Sequence, residues 1–347
     1  MDTTEISKDN IVSTPKDEEE TWDEELQELV QTLPKERNWI NADHLYFYQG
    51  FWCPSGALKA VISFQKHFQA HDTDIIVISF PKCGTTWLKA LTFSVVNRNQ
   101  FAREENPLFR SGPHQLIRFF EYDLYLENPS PDLENSSLYP PRLFSTHVPY
   151  PSLPPSMKDS NSKIVYICRN PMDMFISLWF FTDKLRVENS EPLSLDEAFE
   201  LFCHGTFGCG PFFDHVLGYW KASQENPNKI LFLQYENLKE DIISQLKKLA
   251  MFLGFPFSEE EEKHGVVEEI AETCSFANLK ELAVNKNGVH TFGFPHNTLF
   301  RKAEVGDWSN YFTPAMVERL EKLIQENFDK SGLTFKLSSQ SPKDACA

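Results

Sequence analysis

Lys82, Gly84, Thr85 and Thr86 crowd between an apolar, largely β-branched run (Ile75-Ile-Val-Ile-Ser-Phe80) and the sequence Trp87-Leu-Lys-Ala-Leu91. A strand that turns directly into a helix leaves the first helical N–H groups without partners at the positive end of the helix dipole, and that is a site for an anion. Pro81 ends the strand ladder and Gly84 permits the tight turn. The hydroxyl of Thr85 or Thr86 is expected to cap the helix, and Lys82 adds charge. A Walker A loop places its Lys after the second Gly. Here Lys82 precedes Gly84, so the cation enters from the strand side. The expected ligand is a phosphate or sulfate.

Three further positions could carry chemistry. His147 ends the run Arg142-Leu-Phe-Ser-Thr-His, and a neutral imidazole is the natural base for a hydroxyl. Arg169 ends Lys163-Ile-Val-Tyr-Ile-Cys, with Pro171 opening another helix and Ser177 one to two turns in; a guanidinium fork with a hydroxyl suits a terminal phosphate. Phe300-Arg-Lys-Ala-Glu-Val-Gly-Asp-Trp308 is a basic pair in an acidic chain and reads as a flap over a phosphate. Trp87, Tyr235 and Phe276 could stack on or bond a base. Each of these has a plainer role when taken alone: a hydrogen-bonded His147, an Arg169–Asp173 ion pair, an exposed loop, core aromatics. Their convergence favours chemistry, because Lys82, His147, Arg169 and Tyr235 each fall at or just past the carboxyl end of a strand, where α/β sheets bind ligands.

The strands expected are 75–80, 142–148, 163–168 and 230–235. Helical periodicity marks 57–68, 172–185, 195–203, 211–222 and 238–252, and Ser258-Glu-Glu-Glu261 is a capping box. Residues 101–140 read as a long irregular excursion and 26–33 as a short helix. Strands alternating with helices predict an α/β fold, a single domain with a central parallel sheet flanked by helices on both faces. The boundaries expected are an acidic, disordered extension over 1–28, the catalytic domain over 29–340, and a tail over 341–347.

Composition sets limits. The chain has 347 residues and a net charge of −17, which argues against nucleic acid or an anionic membrane as a bulk partner. A polyanionic ligand must then be held by a local cluster of cations. Seven Cys form no CxxC pair, and no apolar run reaches the length of a membrane span, so the expectation is a reduced, cytoplasmic protein without a metal cluster.

Taken together, P-K-x-G-T-T-W (81–87), T-H-x-P (146–149), R-N-P-x-D (169–173), Q-Y-E (234–236) and R-K-x-x-x-G-D-W (301–308) resemble, in order, the cytosolic sulfotransferases that use 3'-phosphoadenosine 5'-phosphosulfate (PAPS). Leu33-Pro-Lys-Glu-Arg and Gln49-Gly-Phe-Trp52 resemble the plant branch. The resemblance implies sulfuryl transfer to a hydroxyl of a small hydrophobic metabolite (a flavonoid, a hydroxyjasmonate or a steroid-like compound), with release of the bisphosphate PAP and no metal. It implies that Lys82, Cys83, Gly84, Thr85, Thr86 and Trp87 hold the phosphosulfate, and that Trp87 and Phe276 sandwich the adenine, with Tyr235 near it. It further implies that Arg169, Ser177, Arg301, Lys302 and Ala303 hold the 3'-phosphate, and that His147 is the base. The chain departs from the family pattern at Cys83 (often Ser), Ala303 (usually Gly), Cys274 (Thr in animal members) and Ser145 (a second Lys in many). The animal dimer motif has lost its Lys and Val around Ser309 and Thr313, so a monomer is expected. An ATP-using kinase and a non-catalytic nucleotide binder are the alternatives. The Lys82–Gly84 order argues against the first, and the pairing of Lys82 with His147 against the second.

Overall fold

The structure, a computed structural model, describes residues 15–337 except 41–42, 102, 127, 135–139, 187–190 and 291–292. Residues 1–14 of the acidic extension and the tail 341–347 lie outside the described residues. From Pro15 the extension is a helix, α1 (Pro15–Thr32), which continues through the short helix expected at 26–33. Leu26 and Val30 pack on the core.

Five strands form the central sheet: β4 (Ile75–Ser79), β5 (Arg118–Phe119), β6 (Leu143–Thr146), β7 (Lys163–Cys168) and β8 (Ile230–Gln234). All pair in parallel, in the order β5-β6-β4-β7-β8. The strand alternation divides the core in two. Ile76, Ile78, Phe144, Ile164 and Tyr166 belong to one apolar cluster, and Ile75, Val77, Leu143, Val165 and Ile167 to the other. The first face is covered by α2 (Ser55–His67) and the helices Pro171–Leu185 and Phe212–Glu225; α3 (Thr85–Asn97) and the helix Ile242–Leu253 cover the second. Strands buried on both faces read as unbroken apolar runs, which is why they were visible in the sequence. Because β6 and β7 flank β4, the chain reverses direction across β4, and a crevice opens beyond its carboxyl end.

Three features differ from the sequence reading. The helix expected over 238–252 is two, Tyr235–Glu240 and Ile242–Leu253, because Asp241 caps the second by accepting from Ser244 N at 3.0 Å. The irregular excursion contains the edge strand β5. Residues 35–54 form an antiparallel sheet, β1 (Lys35–Arg37), β2 (His44–Tyr48) and β3 (Phe51–Pro54). Gln49 and Gly50, both at positive φ (48° and 87°), make the tight turn between β2 and β3. Backbone bonds from Trp52 N to Gly210 O and from Cys209 N to Trp52 O, each 2.8 Å, fasten this sheet to the main domain. Among the described residues, no helix is long and apolar enough to cross a membrane.

At the amino end of the sheet, fully buried Asp74 accepts from Arg142 Nε and Nη2, both at 2.7 Å, and from His71 N at 2.8 Å. Removing one partner of such a pair strands a charge. Asp74→Ala is expected to cost about 3 kcal/mol in urea unfolding while leaving ligand binding at the opposite end of the sheet unchanged. A loss below about 1 kcal/mol would show that the pair behaves as a surface contact.

Candidate active site

The β4–α3 connection needs its glycine twice over. Gly84 sits at φ 105°, and a Cβ there would come within 2.8 Å of Tyr235 Cδ2 and 3.3 Å of Ile167 Cδ1. Gly84, not a threonine, is the N-cap of α3, and no side chain caps that end. The Thr85 hydroxyl instead lies 2.6 Å from Ser79 Oγ, and that of Thr86 lies 2.9 Å from His114 Nε2. The first helical bond is Leu88 N to Gly84 O at 2.9 Å, so the N–H groups of Thr85, Thr86 and Trp87 precede any intrahelical acceptor. Cys83 does not belong to this cradle: its thiol is buried in the core and its N–H donates to Phe80 O at 3.3 Å. The turn aims its side chain inward, away from the cleft lined by its neighbours.

Cations gather over the loop. Lys82, at the strained φ of 66°, has a pKa lowered to about 7, first by burial and then by Lys184, Arg169 and Arg301. Its Nζ lies 3.8 Å from the centroid of the Phe181 ring. Arg169 leaves the carboxyl end of β7 and stacks over Tyr235 at 4.6 Å, with Nη2 donating to Glu304 O at 2.5 Å. It is also ion-paired with Asp173 at 3.5 Å, and Asp173 in turn holds the 301–308 segment by accepting from Gly306 N at 2.8 Å and Trp308 N at 3.0 Å. Tyr235 donates to Ala303 O at 3.2 Å, which also ties this segment to the β8 end. Arg169 Nε and Arg301 Nε are buried and have no hydrogen-bond partner, as is Trp87 Nε1. Buried donors in that state suit a polyanionic nucleotide.

Arg301, Ala303 and Ser177 line the cleft; Lys302 does not. Its Nζ is held by Asp307 at 2.6 Å, on the outside of the segment, so the sequence expectation that the Lys302 side chain reaches the ligand is corrected. Asp307 binds Arg301 Nη1 as well, at 2.5 Å. Ala303 adopts φ 57°, a left-handed conformation that explains why glycine is usual there.

His147 stands past the end of β6. Its Nδ1 lies 2.6 Å from Ser79 O, and a carbonyl can only accept, so the ring proton is on Nδ1 and Nε2 keeps a lone pair. Burial lowers its pKa to about 3, so the ring is neutral at ordinary pH. The backbone around it is pinned: His147 N donates to Glu121 Oε1 at 2.6 Å, and His147 O accepts from His215 Nε2 at 2.9 Å. Glu121 itself is raised to about 7, chiefly by burial.

Lys82, Gly84, Thr85, Thr86, Trp87, His147, Arg169, Ser177, Tyr235, Phe276, Arg301 and Ala303 all line one cleft of about 860 Å³. Phe119 and Tyr122 also line the cleft, and Trp39, Phe181, Phe207 and Phe294 complete its aromatic wall. The last four were missed because a wall drawn from one helix and several distant loops has no single sequence period. Lys184 and His114 were also missed, for the same reason.

Comparison with known proteins agrees with this geometry. A family model described as "Sulfotransferase domain" matches residues 72–332. The chain is 50% identical to Cytosolic sulfotransferase 15 of Arabidopsis thaliana over 318 residues, covering 90% of this chain and 88% of the relative, and 49% identical to Cytosolic sulfotransferase 14 of the same plant over 327 residues, covering 92% and 93%. Among solved structures, an Arabidopsis thaliana protein described as a candidate steroid sulphotransferase superposes with a TM-score of 0.71 at 40% identity, covering 90% of this chain and 98% of that one. A mouse sulfotransferase complexed with PAP gives a TM-score of 0.63 at 29% identity, covering 83% and 95%.

Two outcomes are expected. Gly84→Ala forces the loop away from Tyr235 and should weaken PAP binding at least 10-fold by calorimetry; wild-type affinity would show that the loop is not the anion site. Lys82 is charged below about pH 7 in the free protein, and a bound anion favours the charged form. PAP affinity should therefore fall as pH rises from 7 to 9, and the fall should vanish in Lys82→Arg. A flat wild-type profile would exclude this titration.

Proposed function

This chain belongs to the sulfotransferase-domain family and is a sulfotransferase, and on that premise we propose that it moves the sulfuryl group of PAPS to a hydroxyl of a small hydrophobic metabolite. The single observation that carries the reading is the fixed tautomer of His147: Nδ1–H is committed to Ser79 O, which leaves the lone pair on Nε2, and His147 lines the same cleft as the Lys82 loop. A protein that merely bound a nucleotide would need no such base.

PAPS brings a sulfuryl group bonded to a phosphate that departs as PAP. The residues present fit such a molecule. Lys82 and the free N–H groups of the first turn of α3 face the phosphosulfate, and Arg169, Ser177 and Arg301 the 3'-phosphate. The orphaned Nε atoms of the two arginines support that assignment. Trp87 and Phe276 border the adenine, with Tyr235 between them and the flap. His147 Nε2 accepts the acceptor's hydroxyl proton as the oxygen attacks sulfur. The Ser79 carbonyl steadies the imidazolium that results. Lys82 and the helix terminus stabilise the charge that grows on the departing phosphate oxygen.

The acceptor end is walled by Trp39, Phe119, Tyr122, Phe181 and Phe207, which favours a flat or alicyclic hydroxylated metabolite: a flavonoid, a hydroxyjasmonate or a steroid-like compound. The relatives' cytosolic names support a cytoplasmic site of action.

The test is PAP release from PAPS with a panel of such acceptors. Transfer to one class names the substrate; tight PAP binding without transfer to any acceptor would sink the enzyme reading. His147→Ala is expected to lower turnover about 100-fold or more while PAP affinity stays within a few-fold of wild type. Unchanged turnover would remove His147 from the reaction.

A further inference from the structure

Lys89 lies in α3, and its side chain is wholly withdrawn from solvent. Sequestering an amine is costly unless its hydrogen bonds are met. Its Nζ lies 3.1 Å from His114 Nδ1 and 3.3 Å from the centroid of the Phe119 ring. The imidazole of His114 stacks on that same ring, with centroids 5.4 Å apart and planes 20° from parallel. On its other side, His114 Nε2 meets Thr86 Oγ1 at 2.9 Å, and Thr86 lines the cleft. Burial pulls the pKa of the Lys89 amine well below its ordinary value, and Asp123 and Glu121 act against that pull.

The directions along this chain follow from what each group can do. An ammonium only donates, and a neutral amine can do either. With the Lys89 amine as donor, His114 Nδ1 accepts, which puts the ring proton on Nε2, where it is donated to Thr86 Oγ1. With that oxygen already accepting, the hydroxyl's own proton is turned away from His114. We propose that Lys89 is a positioning residue for the transfer reaction: acting through His114, it fixes the Thr86 hydroxyl as a donor toward the anion loop. Without the amine the imidazole is free to reverse. Thr86 would then donate to Nε2 and turn lone pairs toward the cleft, which an anion disfavours.

The inference rests on the reading of the loop as the PAPS site and assigns two residues, Lys89 and His114, to its upkeep. Lys89→Met abolishes the donor, whereas Lys89→Gln keeps an N–H for His114 without the charge. PAP affinity by calorimetry is expected to fall about 10-fold in Lys89→Met and to stay within about 2-fold of wild type in Lys89→Gln. In a Thr86→Val background, Lys89→Met should add no further loss. Wild-type affinity in Lys89→Met, equal losses in the Met and Gln variants, or losses that multiply with Thr86→Val would each overturn the relay while leaving the loop assignment standing. Thr86→Val binding PAP like wild type would instead remove the loop assignment and the relay with it. Should Lys89→Met fail to fold, 15N NMR of histidine-labelled wild-type protein decides: a proton on His114 Nε2 supports the relay, and one on Nδ1 overturns it.

Discussion

The last residue of β4 couples the two halves of the cleft. Ser79 offers its carbonyl to His147 Nδ1 and its hydroxyl to Thr85. One residue thereby sets the tautomer of the base and holds the opening of the helix whose N–H groups face the anion. β4 is central in the sheet and buried along its whole length, so this junction cannot drift without disturbing β6 and β7 on either side. Precision in the site is inherited from the most rigid element of the fold.

The charge distribution follows the same logic at longer range. A protein of net charge −17 repels a polyanion in bulk, yet Lys82, Lys184, Arg169 and Arg301 stand close enough to depress the pKa of Lys82. That mutual repulsion is offset at three of the four by separate partners: Arg169 by Glu304 O, Asp173 and the Tyr235 face, Arg301 by Asp307, Lys82 by the Phe181 face. A bound bisphosphate would relieve it. Among the described residues, three of the four non-glycine residues held at positive φ (Lys82, Cys209 and Ala303) border this same cleft, so backbone strain and charge strain coincide there.

What could be read from the sequence was what repeats or caps. The runs 75–79 and 163–168 are apolar on both faces and could hardly be anything but central strands. The Ser258 capping box closes where its spacing says. The anion loop was legible because Pro81, Gly84 and the two threonines each have a specific backbone use, although the use of the hydroxyls was not. Thr85 and Thr86 bond to Ser79 and His114, residues far away or on another element, and local capping rules cannot see such partners. Asp241 splits a helix whose apolar period continues across the break. β5 has two residues, too few for any period. Lys302 and Arg301 look alike in sequence and both bind Asp307, yet only Arg301 lines the cleft, a difference of direction that adjacent basic residues do not reveal. The Gln49-Gly50 turn, flanked by Tyr48 and Phe51, was a readable hairpin signal.

The antiparallel sheet over 35–54 lies outside the stretch that matches the family model, 72–332, yet Asn38, Trp39, Ile40 and Asp43 from its first loop wall the cleft opposite the anion loop. It is attached by hydrogen bonds, Trp39 Nε1 to Thr206 O at 3.0 Å and the Trp52 backbone pair among them, and by Trp39, Phe51 and Cys53, which are buried in the main core. Part of the cleft wall therefore comes from outside that stretch, beside Phe119, Tyr122, Phe181 and Phe207 from within it. After gene duplication, a copy could acquire a new acceptor through substitutions in this small sheet and the 205–211 loop beneath it, with the sulfuryl-transfer machinery inherited intact. Diversification within such a lineage should be recorded chiefly at that one wall.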